Sequence, residues 1–401
     1  MNMKKLSITS KLMSGAFALM TIMSMSSCSG LVDAILGTED NPSGGSTKPS
    51  TVPGIPSDAS ATPNPTLPQA PNTTIPNPGN EVVTQSGQTV VKFNLTGIVD
   101  PTEVGGWLKL YGTGSSIQNV WLSIDGNAKG IAVINTIDQS TVTSAVDLVF
   151  LVDNSGSMGE EADAVANSII DWSTKLSKTL DMKFACVGYD EGYISGAFDF
   201  DKVDKLSEWL NQSTGTSRTH GFVSSKTDLA TLAQNSYQAG GWAENGVTAL
   251  RMADENFDFR TGANRVYVNF TDEPNQPRGE AKWSTDYVKD PSNWPATKGT
   301  IHTVFSDPWY TDSYNWTPLN EEKPWLLSEY TGGTTKFASS DFSGVTLDDL
   351  PITGALMNSY VISVTNVTSL FDGKEHIVKI TILNADGTIR AEKEFPVVFT
   401  K

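Results

Sequence analysis

The chain has 401 residues, 45 of them acidic and 28 basic, which gives a formal net charge of −17 at pH 7. Such acidity argues against nucleic acid as a partner, because binding phosphates needs a basic face. Two cysteines exclude a disulfide-framed scaffold, and three histidines disfavour a His-rich metal cluster. An apolar share of 38% is in the globular range, so the length accommodates two domains, or one large domain with a second built around it.

Residues 1–27 are predicted to be an export signal. Basic residues precede the apolar run Leu12–Met25, which is too short to span a bilayer, and small residues follow it up to Cys28. This arrangement resembles a bacterial lipoprotein signal, with Cys28 as the lipidated N-terminus; an ordinary signal peptide with a chance cysteine is the alternative. The resemblance implies a lipid anchor in the outer membrane, with the cell surface favoured over the periplasmic face.

Residues 28–83 are predicted to be an extended tether. The segment is rich in Pro, Ser, Thr and Gly and contains ten prolines. Such a composition buries too little apolar surface to fold, and its prolines keep the chain extended. The folded part of the protein would therefore stand away from the membrane.

Two separated segments, 84–144 and 356–401, alternate apolar and polar residues as half-buried antiparallel strands do. Strands are predicted at Val90–Asn94, Trp107–Tyr111, Val120–Ile124, Gly130–Ile134, His376–Leu383 and Thr388–Phe399. Neither segment has enough strands to close a sandwich alone. We therefore expect one β-sandwich made from both ends of the chain, with the middle inserted into it.

The middle of the chain, 145–355, alternates strands with helices. Strands are predicted at Val146–Val152, Lys183–Tyr189, Arg265–Thr271 and Thr300–Ser306, and helices at Glu160–Leu180 and near 201–212, 224–238, 244–257 and 324–331. This order predicts an α/β domain with a doubly wound, mainly parallel sheet. Ligands of such sheets bind at the carboxyl ends of the strands.

The first strand of this domain ends in a loop of oxygen-bearing residues. In an extended loop, Asp153, Ser155 and Ser157 point the same way, and one carboxylate with two hydroxyls suits Mg²⁺, with Mn²⁺ or Ca²⁺ as alternatives. This D-x-S-x-S loop resembles the metal-ion-dependent adhesion site of von Willebrand factor type A (VWA) domains. A capped turn, with Ser157 as N-cap and Glu160 answering it, is a second interpretation that leaves Asp153 unexplained.

The resemblance implies two further metal ligands. Asp272 follows the strand Arg265–Thr271 and matches the second acid of the family, which usually reaches the metal through water. The family has a Thr in a loop before a helix, but the matching loop, 240–246, has none. It is more similar to integrin β-type sites, where Glu takes this place, so the role is carried to Glu244, with Asn245 as the second choice. A third acid would hold the metal more firmly and an acidic partner more weakly.

These features imply a function in binding rather than in catalysis. Mg²⁺ with few protein ligands leaves a coordination position for an outside oxygen. The resemblance thus implies a membrane-anchored, cation-dependent adhesion module whose partner, a protein or a glycan, offers an acidic group. A structural subunit of a surface assembly, such as a fibre tip or anchor, is the alternative. A hydrolase is disfavoured, because no G-x-S-x-G elbow is present, and we expect no enzyme.

Two long loops, about 273–299 and 306–323, follow strand ends and should cover the predicted metal face. The second loop contains Trp309 and Trp316. Aromatic side chains are frequent interface anchors, so these two are candidates for selecting the partner. The alternative is that the aromatic side chains of both loops only pack the loops onto the domain.

Overall fold

A computed structural model describes residues 54–56, 66–70, 74–100, 102, 106–136, 145–159, 161–190, 192–211, 222, 236–306, 314–340, 342 and 351–400. All of these belong to one compact unit, Pro49–Lys401. The export signal, Cys28, Trp309 and the part of the helix predicted near 224–238 that precedes residue 236 lie outside the described residues.

Strands predominate at the two ends of the chain, and helices occur mainly in its middle. The strands are β1 Gly79–Gln85, β2 Gln88–Leu95, β3 Val120–Ile124, β4 Asn127–Lys129, β5 Ile131–Asn135, β6 Val146–Asp153, β7 Met182–Asp190, β8 Tyr193–Asp201, β9 Asn264–Thr271, β10 Thr300–Phe305, β11 Thr335–Phe337, β12 Tyr360–Val364, β13 His376–Leu383 and β14 Arg390–Val397. The helices are α1 Ala162–Leu176, α2 Val203–Leu210, α3 Gly246–Asn256, α4 Asp286–Lys289, α5 Leu326–Thr331 and α6 Pro351–Met357. None of the helices in the described ranges combines the length and apolar character needed to cross a membrane.

The central sheet has the strand order β11-β10-β9-β6-β7-β8. Its neighbours run parallel except β8, which pairs antiparallel with β7 at one edge. Alternate side chains of the buried strand β6 face opposite ways: Leu148 and Phe150 pack in the core that includes α1 and α2, whereas Val149 and Leu151 pack in the core that includes α3. Helices therefore cover both faces, and the predicted α/β fold is confirmed.

The other strands form two four-stranded sheets, ordered β1-β2-β12-β5 and β14-β13-β3-β4. Both sheets combine strands from the two ends of the chain, because β12 lies between β2 and β5, and β13 lies between β3 and β14. Apolar side chains from both sheets meet in one core, including Phe93, Leu122, Ile362, Ile380 and Phe395. Two antiparallel sheets thus flank the α/β domain as one sandwich.

Two predicted boundaries need correction. The folded part begins before residue 84, since β1 starts at Gly79 and the side chain of Ile75 is fully buried in the sandwich core. A few apolar residues among the prolines are sufficient to order this segment, because they pack against the sandwich formed by other parts of the chain. At the other end, α6 continues two residues past the boundary at 355.

The strand predicted at Trp107–Tyr111 is absent, and only an isolated bridge joins Val99 to Trp107. Leu108 and Leu110 are nevertheless buried in the sandwich core. An irregular segment that inserts every second side chain produces the same alternation as a strand, which explains the wrong prediction. The edge strand β8, which includes a glycine and two aspartates among nine residues, has no corresponding prediction.

Candidate metal-binding site

Asp153 lies at the carboxyl end of β6, between β7 and β9, and is fully buried. The hydroxyl of Thr271, the last residue of β9, donates a hydrogen bond to Asp153 Oδ2 at 2.7 Å. The backbone N–H of Ser155 donates to Asp153 Oδ1 at 3.0 Å. The carboxylate is therefore held by the end of the neighbouring strand β9 and by its own loop. Sequence reasoning did not identify Thr271, because a threonine at the end of a strand has no distinctive pattern.

The two serine hydroxyls connect this loop to Asp272. Ser157 Oγ donates a hydrogen bond to Asp272 Oδ1 at 3.1 Å, and the hydroxyls of Ser155 and Ser157 are 3.0 Å apart. Ser155 and Asp272 are buried, whereas Ser157 is exposed. Asp153, Ser155, Ser157 and Asp272 thus form one polar cluster that extends from the protein interior to its surface.

The second interpretation of Ser157, as the cap of the following helix, does not agree with this geometry. Helix α1 has Glu161 at its N-cap position and no side-chain hydrogen bond there. Residues Ser157–Gly159 instead form a short 3₁₀ turn, and the Ser157 hydroxyl is bonded to Asp272. The serine is therefore part of the polar cluster.

Glu244 lies in the loop before α3, and its backbone carbonyl accepts a hydrogen bond from Gln276 N at 2.8 Å. Its Oε2 atom is buried and has no hydrogen-bond partner among the described residues. Burial, together with the charges of Asp153, Glu273 and Asp272, raises the pKa of Glu244 above its usual range, against a hydrogen bond from the Ser155 side chain. Glu244 thus joins the cluster with an unpaired oxygen.

Asn245, the second choice for this position, has a different role. Its side-chain oxygen accepts a hydrogen bond from Thr248 N and caps helix α3, and its Nδ2 donates to the carbonyl of Trp283 at 2.9 Å. With both polar atoms engaged in packing the helix, Asn245 is removed from the predicted ligand set.

The electrostatics of the cluster are unfavourable without a cation. The pKa of Asp153 is raised, first by burial and then by the charge of Asp272. Within the described ranges, no group of three or more His, Cys, Asp or Glu side chains is arranged to hold a metal ion. A metal shell at this position therefore has to include the serine hydroxyls. The donor set, all hard oxygen with one unpaired buried carboxylate oxygen, fits Mg²⁺, Mn²⁺ or Ca²⁺.

The aromatic side chains of the two long loops predicted to cover the metal face form two groups. Trp283 and Trp294 are buried in the core that includes α3, so they pack the first loop onto the domain. Trp316 is half-buried and packs against Tyr314 and Trp325, with ring centroids 5.2 and 5.4 Å away. The Tyr314 hydroxyl donates a hydrogen bond of 3.5 Å to the backbone carbonyl of Asp272. The second group therefore lies beside the polar cluster.

Sequence reasoning missed an exposed tryptophan next to Glu244. The Trp242 side chain is 78% exposed and follows Gly240 and Gly241, both of which have positive φ. The guanidinium of Arg278 donates a hydrogen bond to the Trp242 carbonyl at 3.1 Å. The backbone is thus fixed while the indole faces solvent, and two adjacent glycines before an aromatic residue are the only signal that sequence offers.

Comparisons with known proteins add little to this geometry. No protein-family model and no curated protein matches the chain. Among solved structures, the adhesive tip pilin GBS104 from Group B Streptococcus agalactiae is 14% identical, with TM-score 0.23, over 33% of this chain and 46% of that one. The vWF domain of the type V pili tip protein Mfa5 from Porphyromonas gingivalis is 19% identical, with TM-score 0.24, over 38% and 48%.

The VWA domain of SpRpn10 is 11% identical, with TM-score 0.31, over 53% of this chain and 95% of that domain. The chain spans less than half the length of the two pilus proteins above. With TM-scores this low, the likenesses support no conclusion about function.

Proposed function

We propose that the protein is a divalent-cation-dependent binding module of VWA type. In this proposal Asp153, Ser155, Ser157, Glu244 and Asp272 hold the cation. The observation that supports it is the hydrogen-bonded cluster of Asp153, Ser155, Ser157 and Asp272 at the carboxyl edge of a doubly wound sheet, to which Glu244 is joined through the Ser155 side chain. This edge is where ligands of such sheets bind.

The residues of the cluster have different tasks in the proposed site. Asp153 is fixed by Thr271 and by its own loop, so it anchors the cation at the buried side. Ser155 and Ser157 contribute neutral oxygens, which add no negative charge to that of the three carboxylates. A bound Mg²⁺ would offer a coordination position to a carboxylate of a partner. The exposed Ser157 lies on the side from which a partner would approach.

The partner is a protein or a glycan with an acidic group. The isolated protein carries a net charge of −17, so an acidic partner would be repelled without a local cation. Exposed Arg278, adjacent to Trp242, adds a positive charge at the rim. We therefore expect chelation to abolish partner binding.

Anchoring is part of the proposal and depends on the sequence of residues 1–28 alone. Cys28 would receive the lipid and hold the protein at the outer membrane, facing the cell exterior. Labelling with a radioactive fatty acid tests this: the label should be lost in Cys28→Ala. Label retained in that variant would contradict the anchor without affecting the metal site.

The metal site is tested by titrating the purified mature protein with Mn²⁺ and measuring free ion by electron paramagnetic resonance. Asp272→Asn should weaken Mn²⁺ binding at least tenfold, because a carboxylate ligand is lost. Asp190→Asn is the matched control, since Asp190 ends the neighbouring strand β7 but bonds to Tyr193 outside the cluster. Equal affinity in the two variants would overturn the proposal.

A structural subunit of a surface assembly is the second candidate function. If the protein is a binding module, it should be a monomer that binds its partner only when the divalent cation is present. If the protein is an assembly subunit, it should co-purify with an oligomer, and chelation of the cation should leave that oligomer intact.

A further inference from the structure

Three separate stretches of the chain expose large apolar side chains beside the metal cluster. The side chains of Trp242, Tyr193 and Leu319 are 78%, 38% and 39% exposed. Tyr193 begins β8, Trp242 precedes α3, and Leu319 lies in the second of the two long loops. A single exposed apolar residue is ordinary, whereas exposed apolar residues that the fold brings to one place mark an interaction surface.

A backbone hydrogen bond joins the first two stretches next to the cluster. Gly192 N, which precedes Tyr193, donates to Ala243 O, which follows Trp242, at 2.8 Å. Trp242 is two residues before Glu244, so the Cα atoms of this pair are at most about 7 Å apart. The exposed indole therefore lies beside the proposed cation site.

Arg278 connects Trp242 to the third stretch and brings a positive charge. Its Nη2 atom donates hydrogen bonds to the Trp242 carbonyl at 3.1 Å and to Gln276 Oε1 at 2.9 Å. The backbone N–H of the next residue, Gly279, donates to the Leu319 carbonyl at 2.7 Å. Arg278 has a φ of +53°, a left-handed conformation that a residue with a side chain keeps only when its surroundings hold it there.

The charge of Arg278 is available to a partner. The side chain is exposed, and its hydrogen bonds go to a carbonyl and an amide oxygen, with no ion pair to any described residue. In a chain with a net charge of −17, an unpaired guanidinium beside an exposed indole attracts an acidic ligand. The surface is thus complementary in charge to an acidic partner.

The composition of this surface favours a protein over a glycan. Trp, Tyr and Arg are the residue types that most often carry the binding energy of protein interfaces. Tyr193, Trp242, Arg278 and Leu319, together called the rim surface, include all of these types and an aliphatic side chain. A sugar ring offers hydroxyl groups that need hydrogen-bonding side chains around it, whereas the rim surface is mainly apolar.

We propose that the rim surface and the cation together bind one protein segment, in which an acidic residue has a large apolar residue within about two positions. The acidic side chain would coordinate the cation, and the apolar side chain would pack on Trp242. Alternate residues of an extended segment are about 7 Å apart on the same face, which matches the spacing of Trp242 and Glu244. This inference rests on the proposed function and adds an apolar requirement to it.

Panning a phage-displayed library of random heptapeptides on the immobilised mature protein tests this proposal. Phage that bind in Mg²⁺ and are released by EDTA should carry Asp or Glu with an aromatic residue, Leu or Ile within about two positions. A fluorescent synthetic copy of the most enriched peptide then serves as the probe, and its Kd is measured by fluorescence anisotropy.

Trp242→Ala should weaken binding of this peptide about tenfold or more, the loss typical of an aromatic anchor. The control is Ile117→Ala, since Ile117 is 59% exposed but outside the rim surface, and it should bind like wild type. Backbone atoms hold the Trp242 loop, so Trp242→Ala should keep the wild-type affinity for Mn²⁺. Tyr193→Ala, a second variant, should weaken the peptide several-fold and decides the matter if Trp242→Ala loses its fold.

The possible failures are distinguishable. Enriched peptides with an acid but no recurring apolar residue, or wild-type peptide affinity in Trp242→Ala, would overturn the rim surface and leave the cation site standing. No Mn²⁺ binding by the wild-type protein would instead overturn the proposed function. A library that yields no EDTA-released peptide would also overturn this inference, and binding of a hyaluronan oligosaccharide in Mg²⁺ would then assign the surface to a glycan.

Discussion

Strand β6 has a buried aspartate near each end, and the two have opposite surroundings. Near the start, Asp147 accepts hydrogen bonds from the guanidinium and the backbone N–H of Arg260, at 2.7 and 2.6 Å. At the end, Asp153 is bonded by a hydroxyl and an amide, and it forms no ion pair with any described residue. Both side chains are fully buried. One carboxylate is neutralised by the protein, and the other has no counter-charge among the described residues, which is where the proposed function puts a cation.

The largest effect is expected near the start of β6, where Asp147 is paired with Arg260. Asp147→Asn leaves the half-buried guanidinium of Arg260 without its inner partner, and should lower the free energy of unfolding by about 3 kcal/mol. Urea denaturation in EDTA measures this. Asp181→Asn is the control, because Asp181 bonds to the same arginine but is 51% exposed, and it should cost less than about 1 kcal/mol. Equal losses would contradict the distinction between the two ends.

Glu244→Thr tests the cluster at the end of β6, where Asp153 has no ion-pair partner among the described residues. It replaces a carboxylate that has an unpaired buried oxygen with a neutral hydroxyl. Mg²⁺ affinity, measured by isothermal titration, should fall about tenfold, equivalent to about 1.4 kcal/mol, while binding of an acidic partner to the loaded site should strengthen. Tighter Mg²⁺ binding in the variant would show that Glu244 does not hold the metal.

His376 in the sandwich provides a smaller, pH-dependent test of internal pairing. Its ring nitrogens lie 2.7 Å from Asp125 Oδ2 and 3.1 Å from Asp372 Oδ1, and these carboxylates raise the pKa of His376 above 6.5, Asp125 most strongly. The folded-state pKa is therefore higher than the unfolded one. The stability that His376 adds is complete below about pH 6.5 and is lost as pH rises through the folded pKa.

Urea denaturation between pH 6 and 9 measures this loss, and His376→Asn should remove it. The control is His302→Asn, because His302 stays neutral across this range and should leave the slope unchanged. If the free energy of unfolding changed with pH in the same way in wild type and in His376→Asn, this would contradict the pairing.

Much of the α/β domain could be predicted from the sequence, because its buried strands are continuous apolar runs. Six of the eight residues of β6 are apolar, and the loop that follows its last residue, Asp153, brings Ser155 and Ser157 to Asp272. The folded segment before residue 84 could not be predicted, since Ile75 is buried only by contact with distant strands. Local composition does not contain that information.

The candidate site was predictable where its residues follow strands and unpredictable where loops meet. Asp153 and Asp272 each follow an apolar strand, which marks their position. The choice between Glu244 and Asn245 depended on which side chain caps α3, and that is a matter of three-dimensional geometry. The backbone carbonyl of Trp242 is bonded by Arg278, which is 36 residues away in the chain.

The most direct test compares Mg²⁺-dependent stability in wild type and Asp153→Asn. At a concentration one hundred times its Kd, Mg²⁺ should raise the free energy of unfolding of the wild-type protein by about 2.7 kcal/mol. The Asp153→Asn variant should gain nothing from Mg²⁺, yet in EDTA it should be at least as stable as wild type, because repulsion from Asp272 is removed. Equal stabilisation of both proteins by Mg²⁺, or none of the wild type, would contradict a cation site at the end of β6.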